Sequence, residues 1–318
     1  LDKVMELLIN GLLVAVGLAM LYFGAEWLVK GSVSIAQKFK ISQLVIGLTI
    51  VAFGTSTPEL SVSVSSAING VSDVALGNVV GSNIANIGLI LGISAIITPI
   101  AVARQTIRKE VPIMIGVSVL LLAVSLDAQI SMIEGILLAI GVVAFTVFSY
   151  KSAKKEEQVV ESTDGTVSVK TTTYRSILLI GIGLVLLTIG SFVTVDNAVL
   201  IAQNIGISER VIGLTLVAVG TSLPELITSV VAARKGHADL SVGNIVGSNI
   251  FNILAIIGIS ASIAGITVND SMWSDYYIMI IFALVLLPIM RTGFKISKLE
   301  GIALLAGYLI YTAVLLLM

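Results

Sequence analysis

Along this chain, apolar runs long enough to cross a bilayer alternate with short polar clusters. A helix needs roughly 20 apolar residues to span the hydrocarbon core. By that measure ten runs qualify: 5–29, 43–69, 74–98, 107–125, 129–150, 176–203, 210–233, 240–265, 272–290 and 299–317. The polar clusters between them are brief, with one exception. The segment KSAKKEEQVVESTDGTVSVKTTTY at 151–174 has no apolar periodicity and reads as a flexible linker. The pattern predicts an all-α polytopic membrane protein. Its expected organisation is a first five-helix repeat at 1–150, a linker at 151–175 and a second five-helix repeat at 176–318.

The two parts repeat one another. Shifted by 166 residues, positions 45–95 align without a gap on 211–261, and 32 of those 51 positions are identical. Five spans per part is an odd number, so the second repeat must enter the membrane from the opposite side. Inverted repeats of this kind belong to secondary transporters, which bind their substrate near the bilayer midplane where interrupted helices meet. Enzymes and simple receptors have no comparable need for them.

Polar positions inside two spans carry the chemistry. GTSTPEL at 54–60 returns as GTSLPEL at 220–226, each in mid-span. Pro58 lacks an N–H, so the helix should break there and leave carbonyls near 52–54, and near 218–220, free to face a ligand. Thr55 and Glu59 share a helix face at i,i+4, as do Thr221 and Glu225. A charge at a helix centre costs about 2.5–3.5 kcal/mol on insertion scales, so two carboxylates imply a compensating cation or proton. The following span of each repeat, GNVVGSNIAN (77–86) and GNIVGSNIFN (243–252), adds an oxygen-bearing stripe. It holds Asn78, Ser82 and Asn86 in one repeat and Asn244, Ser248 and Asn252 in the other. Asn78 and Asn244 read equally well as glue between helices, and the Gly-xxx-Gly spacing as packing. Together the two repeats offer an oxygen cage of formal charge −2, suited to one Ca2+. Glu26, Glu110, Asp127, Glu134, Asp196 and Glu300 fall near span ends and do not compete.

Composition narrows the reading. The chain is 57% hydrophobic and 12% charged, with a mean hydropathy of +1.08, which places it among membrane proteins. The first run ends in Glu26 and Lys30 without a small-residue cleavage site, so it reads as a span rather than a signal peptide. There is no cysteine and a single histidine, His237, in a loop. Thiolate metal sites and histidine-based catalysis are excluded, and any metal handled is a hard one held by oxygen. With the N-terminus outside, sixteen of the eighteen Lys and Arg residues fall on the inner side, and only Lys3 and Arg210 fall outside. Both termini are then outside and the linker is cytoplasmic.

At the doubled motif the sequence resembles the calcium/cation antiporter superfamily, especially its Na+/Ca2+ exchanger branch, with H+/Ca2+ relatives. The resemblance covers essentially the whole chain. It implies a Ca2+ site built from Glu59 and Glu225 with Thr55 and Thr221. It also implies that the carbonyls of Ala52 and Ala218, with Ser56, Ser222, Ser82, Ser248 and Asn86, bind the exchanged monovalent ions. The first and sixth spans would slide as gates. Sodium-coupled relatives carry an acid at one of the positions that read Asn86 and Asn252 here; proton-coupled relatives have Gly-Asn where this chain has Gly-Thr-Ser. The counter-ion, H+ or Na+, stays open on these residues. The expectation is an antiporter moving Ca2+ against a monovalent cation in the cell membrane, with lipid around it. No cofactor, nucleic acid or obligate protein partner is expected. Alternatives are an antiporter of Mg2+ or Mn2+ and a cation channel.

Overall fold

The computed structural model describes residues 2–160, 172–207 and 218–317. Helices are α1 (Asp2–Lys38), α2 (Gln43–Thr55), α3 (Thr57–Ile68), α4 (Ser72–Ile97), α5 (Val111–Val124, entered through a wide turn at Thr106–Glu110) and α6 (Met132–Val160). The second repeat follows with α7 (Thr173–Asn204), α8 (Ala218–Thr221), α9 (Leu223–Arg234), α10 (Ala238–Ala264), α11 (Met272–Arg291) and α12 (Lys298–Leu317). Seven of these are long and apolar enough to cross a membrane on their own, and α2 with α3 makes a further span bent by 49°. The span expected at 210–233 is represented by α8 and α9; its residues 210–217 lie outside the described residues.

The linker is shorter than expected, because α6 continues through residues 151–160. Lys, Ala, Glu and Gln in KSAKKEEQVV are good helix formers, and helix propensity extends the preceding span without an apolar face. The middle of the linker, 161–171, lies outside the described residues.

The centre of the bundle is α4 and α10, whose apolar residues Val79, Val80, Ile84, Ile90, Ile245, Val246, Ile250 and Ile257 are fully buried. Each contains a widened turn, Asn86–Leu91 and Asn252–Ile257, directly after its asparagine-bearing stretch. Such π-type turns favour functional sites because they redirect side chains within a helix. Around this centre pack α5 and α11, then α6 against α10 and α12 against α4. Outside them lies the antiparallel pair α1–α7. Their backbones meet at Gly17 with Gly190 and Thr194, at Gly24 with Gly183, and at Gly31 with Ser176. A Cβ at Gly24 or Gly31 would come within 2.7–3.1 Å of the opposing chain. Smooth glycine seams bring two helices together without interdigitating side chains.

The inverted symmetry is visible in small features. Two-residue antiparallel pairs, unforeseen in an all-α reading, join opposite repeats. They are β1 (Ile100–Ala101) with β4 (Lys295–Ile296), and β2 (Gln129–Ile130) with β3 (Ile266–Thr267). Ser131 and Glu134 form a capping box at the start of α6, and Ser297 and Glu300 repeat it at α12. Two of the acids set aside at span ends are therefore structural. Gly70 and Gly236 adopt φ +73° and +81° after α3 and α9, closing matched turns that a side chain would strain.

Candidate functional site

Pro58 and Pro224 stand in the first turn of α3 and α9, where a missing N–H costs nothing. The preceding residues, Ser56 and Ser222, have non-helical backbone (ψ 11° and 8°) and mark the breaks. Each break aims its serine across the interface between repeats. Ser56 Oγ donates to Glu225 Oε1 at 2.8 Å, and Ser222 Oγ donates to Glu59 Oε1 at 3.0 Å. Ser248 Oγ adds a 3.4 Å contact to Glu225 Oε1, while Ser82 Oγ and Ser222 Oγ lie 3.2 Å apart. Both glutamates are only 1% exposed. Each carboxylate is thus clasped by the opposite repeat through one oxygen, and its second oxygen, Oε2, is buried with no partner.

Thr55 Oγ1 donates to Asn244 Oδ1 at 3.1 Å, and Thr221 Oγ1 meets Asn78 Oδ1 at 3.5 Å. The two asparagines in turn bind backbone. Asn78 Nδ2 donates to Glu59 O and Ser63 Oγ, and Asn244 Nδ2 to Glu225 O and Ser229 Oγ. They act as struts that fix the glutamate-bearing turns, which agrees with the glue reading.

Asn86 and Asn252 are each held by an asparagine of the opposite repeat that lies off the polar stripe. Asn86 Nδ2 donates to Asn249 Oδ1 at 2.9 Å, and Asn252 Nδ2 donates to Asn83 Oδ1 at 3.0 Å. Asn83 Nδ2 reaches Asn249 O, and Asn249 Nδ2 reaches Asn83 O, at 3.2 and 3.4 Å. This reciprocal lock spends the donor side of Asn86 and Asn252 on their neighbours. Their Oδ1 atoms remain buried and unpartnered. The signal was available, since Gly-Ser-Asn-Ile occurs in both repeats, but position 83 lies one residue off the stripe of 78, 82 and 86.

The expected free carbonyls are only partly free. Ala52 O accepts from Ser56 N at 3.1 Å and lies 3.4 Å from Thr55 Oγ1, so the break does not orphan it. Gly220 O, which loses its donor to Pro224, instead accepts from Ser191 Oγ of α7 at 2.7 Å. Ala218 begins α8 at the edge of the described residues. Glu110 is a third buried acid among the described residues, but it lies at a span end, as expected, and not at the level of Glu59 and Glu225. It sits at the start of α5, where Gln105 Nε2 donates to it at 3.0 Å. Among the described residues, no cluster of three or more His, Cys, Asp or Glu side chains is present.

Four buried oxygens without donors, two of them on carboxylates, cost about 1–3 kcal/mol each, and more where charged. Hydroxyls can turn to donate or accept, and the amide groups of Asn83, Asn86, Asn249 and Asn252 each already donate to a residue of the opposite repeat. A hard cation taking oxygen ligands, or protons on the two carboxylates, would complete such a set.

Comparisons with known proteins identify the family. The family model described as sodium/calcium exchanger protein matches residues 9–151 and 175–317. CaxA of Alkalimonas amylolytica is 40% identical over 96% of this chain and 98% of its own length. The sodium/calcium exchanger MaX1 of Methanosarcina acetivorans is 33% identical over 96% and 98%. A structure of the sodium-calcium exchanger NCX_Mj soaked with zero Na+ and Ca2+ superposes with a TM-score of 0.84 at 33% identity, covering 97% of this chain and 99% of that one. The two inverted five-helix repeats are the fold of that exchanger. The matches run through both repeats and both glutamate motifs: this chain is a multi-pass membrane protein that belongs to the sodium/calcium exchanger family of transporters.

Proposed function

We propose that the protein is a secondary active antiporter that carries Ca2+ across the cell membrane in exchange for monovalent cations by alternating access. The observation that carries this reading is the crossed pair of serine–carboxylate bonds. It draws Glu59 and Glu225 to one centre and leaves Oε2 of each, with Oδ1 of Asn86 and Asn252, buried and unpartnered. Ca2+ takes 6–8 oxygens in flexible geometry, which a cage of carboxylates, hydroxyls and amides can supply. Thr55, Thr221, Ser56, Ser222, Ser82 and Ser248 complete the set. Mg2+ demands a tighter octahedron and sheds water reluctantly, which disfavours it in a cage of this breadth. Ca2+ needs both glutamates ionised. Monovalent cations compete by dividing the same oxygens, and Ca2+ leaves toward whichever side is open. In this reading both termini are outside and the linker is in the cytoplasm.

Na+ is the first reading for the counter-ion, since MaX1 and NCX_Mj are named for sodium and calcium. The paired amides favour a second. With two carboxylates in the cage, two protons replace one Ca2+ without changing the charge of the site. The test is 45Ca2+ uptake into proteoliposomes under separately imposed Na+ and pH gradients with the membrane potential clamped. Uptake driven by an outward gradient of either ion, and absent without a counter-ion, is the expected result. Uptake that needs no counter-ion identifies a channel and overturns the reading.

A further inference from the structure

The side-chain amide of asparagine carries two N–H donors and one carbonyl acceptor. In Asn83, Nδ2 donates to Asn249 O and lies 3.6 Å from Met279 Sδ of α11, while Oδ1 accepts from Asn252 Nδ2. Asn249 mirrors it. Its Nδ2 donates to Asn83 O and lies 3.5 Å from Met114 Sδ of α5, while Oδ1 accepts from Asn86 Nδ2. Every polar atom of both amides therefore has a partner, and for one N–H of each that partner is sulfur. Both methionines are buried, Met114 at 0% and Met279 at 1% exposure. Duplication alone does not account for the two sulfurs. Under the 166-residue shift Met114 corresponds to Ile280 and Met279 to Ile113, one residue out of register, yet the thioethers reach equivalent asparagines. An aliphatic side chain would fill the space as well, since Leu and Met exchange at little cost in packed interiors, but it accepts no hydrogen bond. A thioether is a weak, polarisable acceptor, and a buried donor at each of these points needs one.

These contacts decide which way round the amides lie. Turned over, Asn83 would set Oδ1 against Asn249 O and Met279 Sδ, acceptor facing acceptors, and Nδ2 against Asn252 Nδ2, donor facing donor. We infer that Met114 and Met279 are positioning residues of the ion site. By taking the second N–H of Asn249 and Asn83 they hold both amides one way round. That keeps Nδ2 of Asn86 and Asn252 bound and leaves their unpartnered Oδ1 atoms to a cation. The inference rests on the reading of those oxygens as cation ligands. It extends the site to α5 and α11, which carry none of the residues proposed to touch the ion. In Met279→Leu the Asn83 N–H loses its acceptor, both orientations of the amide become populated, and Asn252 loses its bond in one of them.

Selenomethionine and norleucine separate the acceptor from its shape. Both keep the length of the methionine side chain; selenium keeps the lone pairs and norleucine removes them. Equilibrium 45Ca2+ binding, without Na+ and near pH 8, is measured on the wild-type chain produced with each. The selenium protein is expected to bind within about twofold of the methionine protein, and the norleucine protein to bind more weakly by about fivefold or more. Met114→Leu and Met279→Leu are each expected to lose about threefold or more. Norleucine should cost the double leucine variant less than about twofold, which assigns the loss to these two positions. Norleucine protein that binds as tightly as wild type, or a norleucine loss undiminished in the double variant, would overturn the inference. The amides are followed without any ion through 15N-labelled asparagine side chains in Ca2+-free detergent solution. The Nδ2 resonances of Asn83 and Asn249 are expected to move between selenium and norleucine protein, while those of Asn78 and Asn244 stay. Unmoved resonances at Asn83 and Asn249 would equally overturn it. A wild type that binds no Ca2+ while these resonances move would defeat the antiport reading and leave the methionine contacts standing.

Discussion

Residues 54–60 and 220–226 place nearly interchangeable atoms at the centre of the molecule. Ser56 reaches Glu225 as Ser222 reaches Glu59, Asn86 leans on Asn249 as Asn252 leans on Asn83, and both glutamates keep one unpartnered oxygen. A few ångströms outward the likeness ends. Ser191 caps Gly220 O, whereas the position corresponding to Ser191 in the first repeat is Ala25, which has no hydroxyl to offer Gly54. Leu184 fills the space over Gly54 and Val195 that over Gly220. The lesson is a division of labour. On the antiport reading proposed above, one cage serves both conformations, which accounts for ligands from both repeats converging on it symmetrically. The surfaces next to α1 and α7 lie outside that cage and are free to differ.

The largest effect that sharpens this comparison is expected from the carboxylates. Glu59→Gln and Glu225→Gln keep the shape of the cage but each removes half its charge. Either should reduce Ca2+ exchange by more than 100-fold in vesicles while leaving expression and melting temperature near wild type. A variant that loses activity in one repeat only would break the symmetry of the centre.

Much of this was legible in the chain. An odd number of spans per repeat dictated the inversion, and two mid-span Pro-Glu pairs pointed to the candidate site, because lipid makes such residues costly. Other parts depended on packing that no local pattern encodes. Asn83 and Asn249 lie off the polar stripe, and only the crossing of α4 and α10 brings them onto Asn86 and Asn252. Ser191 is one small hydroxyl in a long apolar run, and its target became visible only when α7 lay against the break. The linker misled for the opposite reason: a polar composition says that a segment need not be buried, but Lys, Glu and Ala still favour helix.

Next in size is the asparagine lock. In Asn252→Asp, a carboxylate oxygen would confront Asn83 Oδ1 where an N–H now donates. Either the acid takes up a proton or Asn83 turns and surrenders its bond to Asn249 O. Ca2+ exchange is expected to fall by about tenfold, with the share driven by Na+ rising as a third acid joins the cage. Asn86→Asp confronts Asn249 in the same way and should behave alike. Flux under Na+ and pH gradients, compared between the two variants, checks both points; unlike behaviour would place the lock outside the symmetric centre.

Smaller again are the threonines. Thr55→Val and Thr221→Val each remove one hydroxyl from the cage and its bond to an asparagine strut, costing about 1–3 kcal/mol of Ca2+ affinity. Isothermal titration of both variants should give similar losses. The smallest effect belongs to His237, in the loop before α10. Partial burial and the neighbouring Lys235 hold its imidazole below the ordinary histidine range. It is therefore neutral at pH 7 and gains a proton only in more acidic solution. His237→Gln should leave the pH profile of exchange between pH 6.5 and 8 unchanged.

The central claim is that Glu59 and Glu225 build a single shared cation site between the repeats. Equilibrium 45Ca2+ binding to the purified protein, with Na+ absent and pH held near 8, tests it most directly. One shared site predicts one tightly bound Ca2+ per chain in the wild type and none at the same concentrations in either Glu59→Gln or Glu225→Gln. Two Ca2+ per chain, or a full complement retained after loss of one glutamate, would mean that each repeat binds its own ion, and would contradict it.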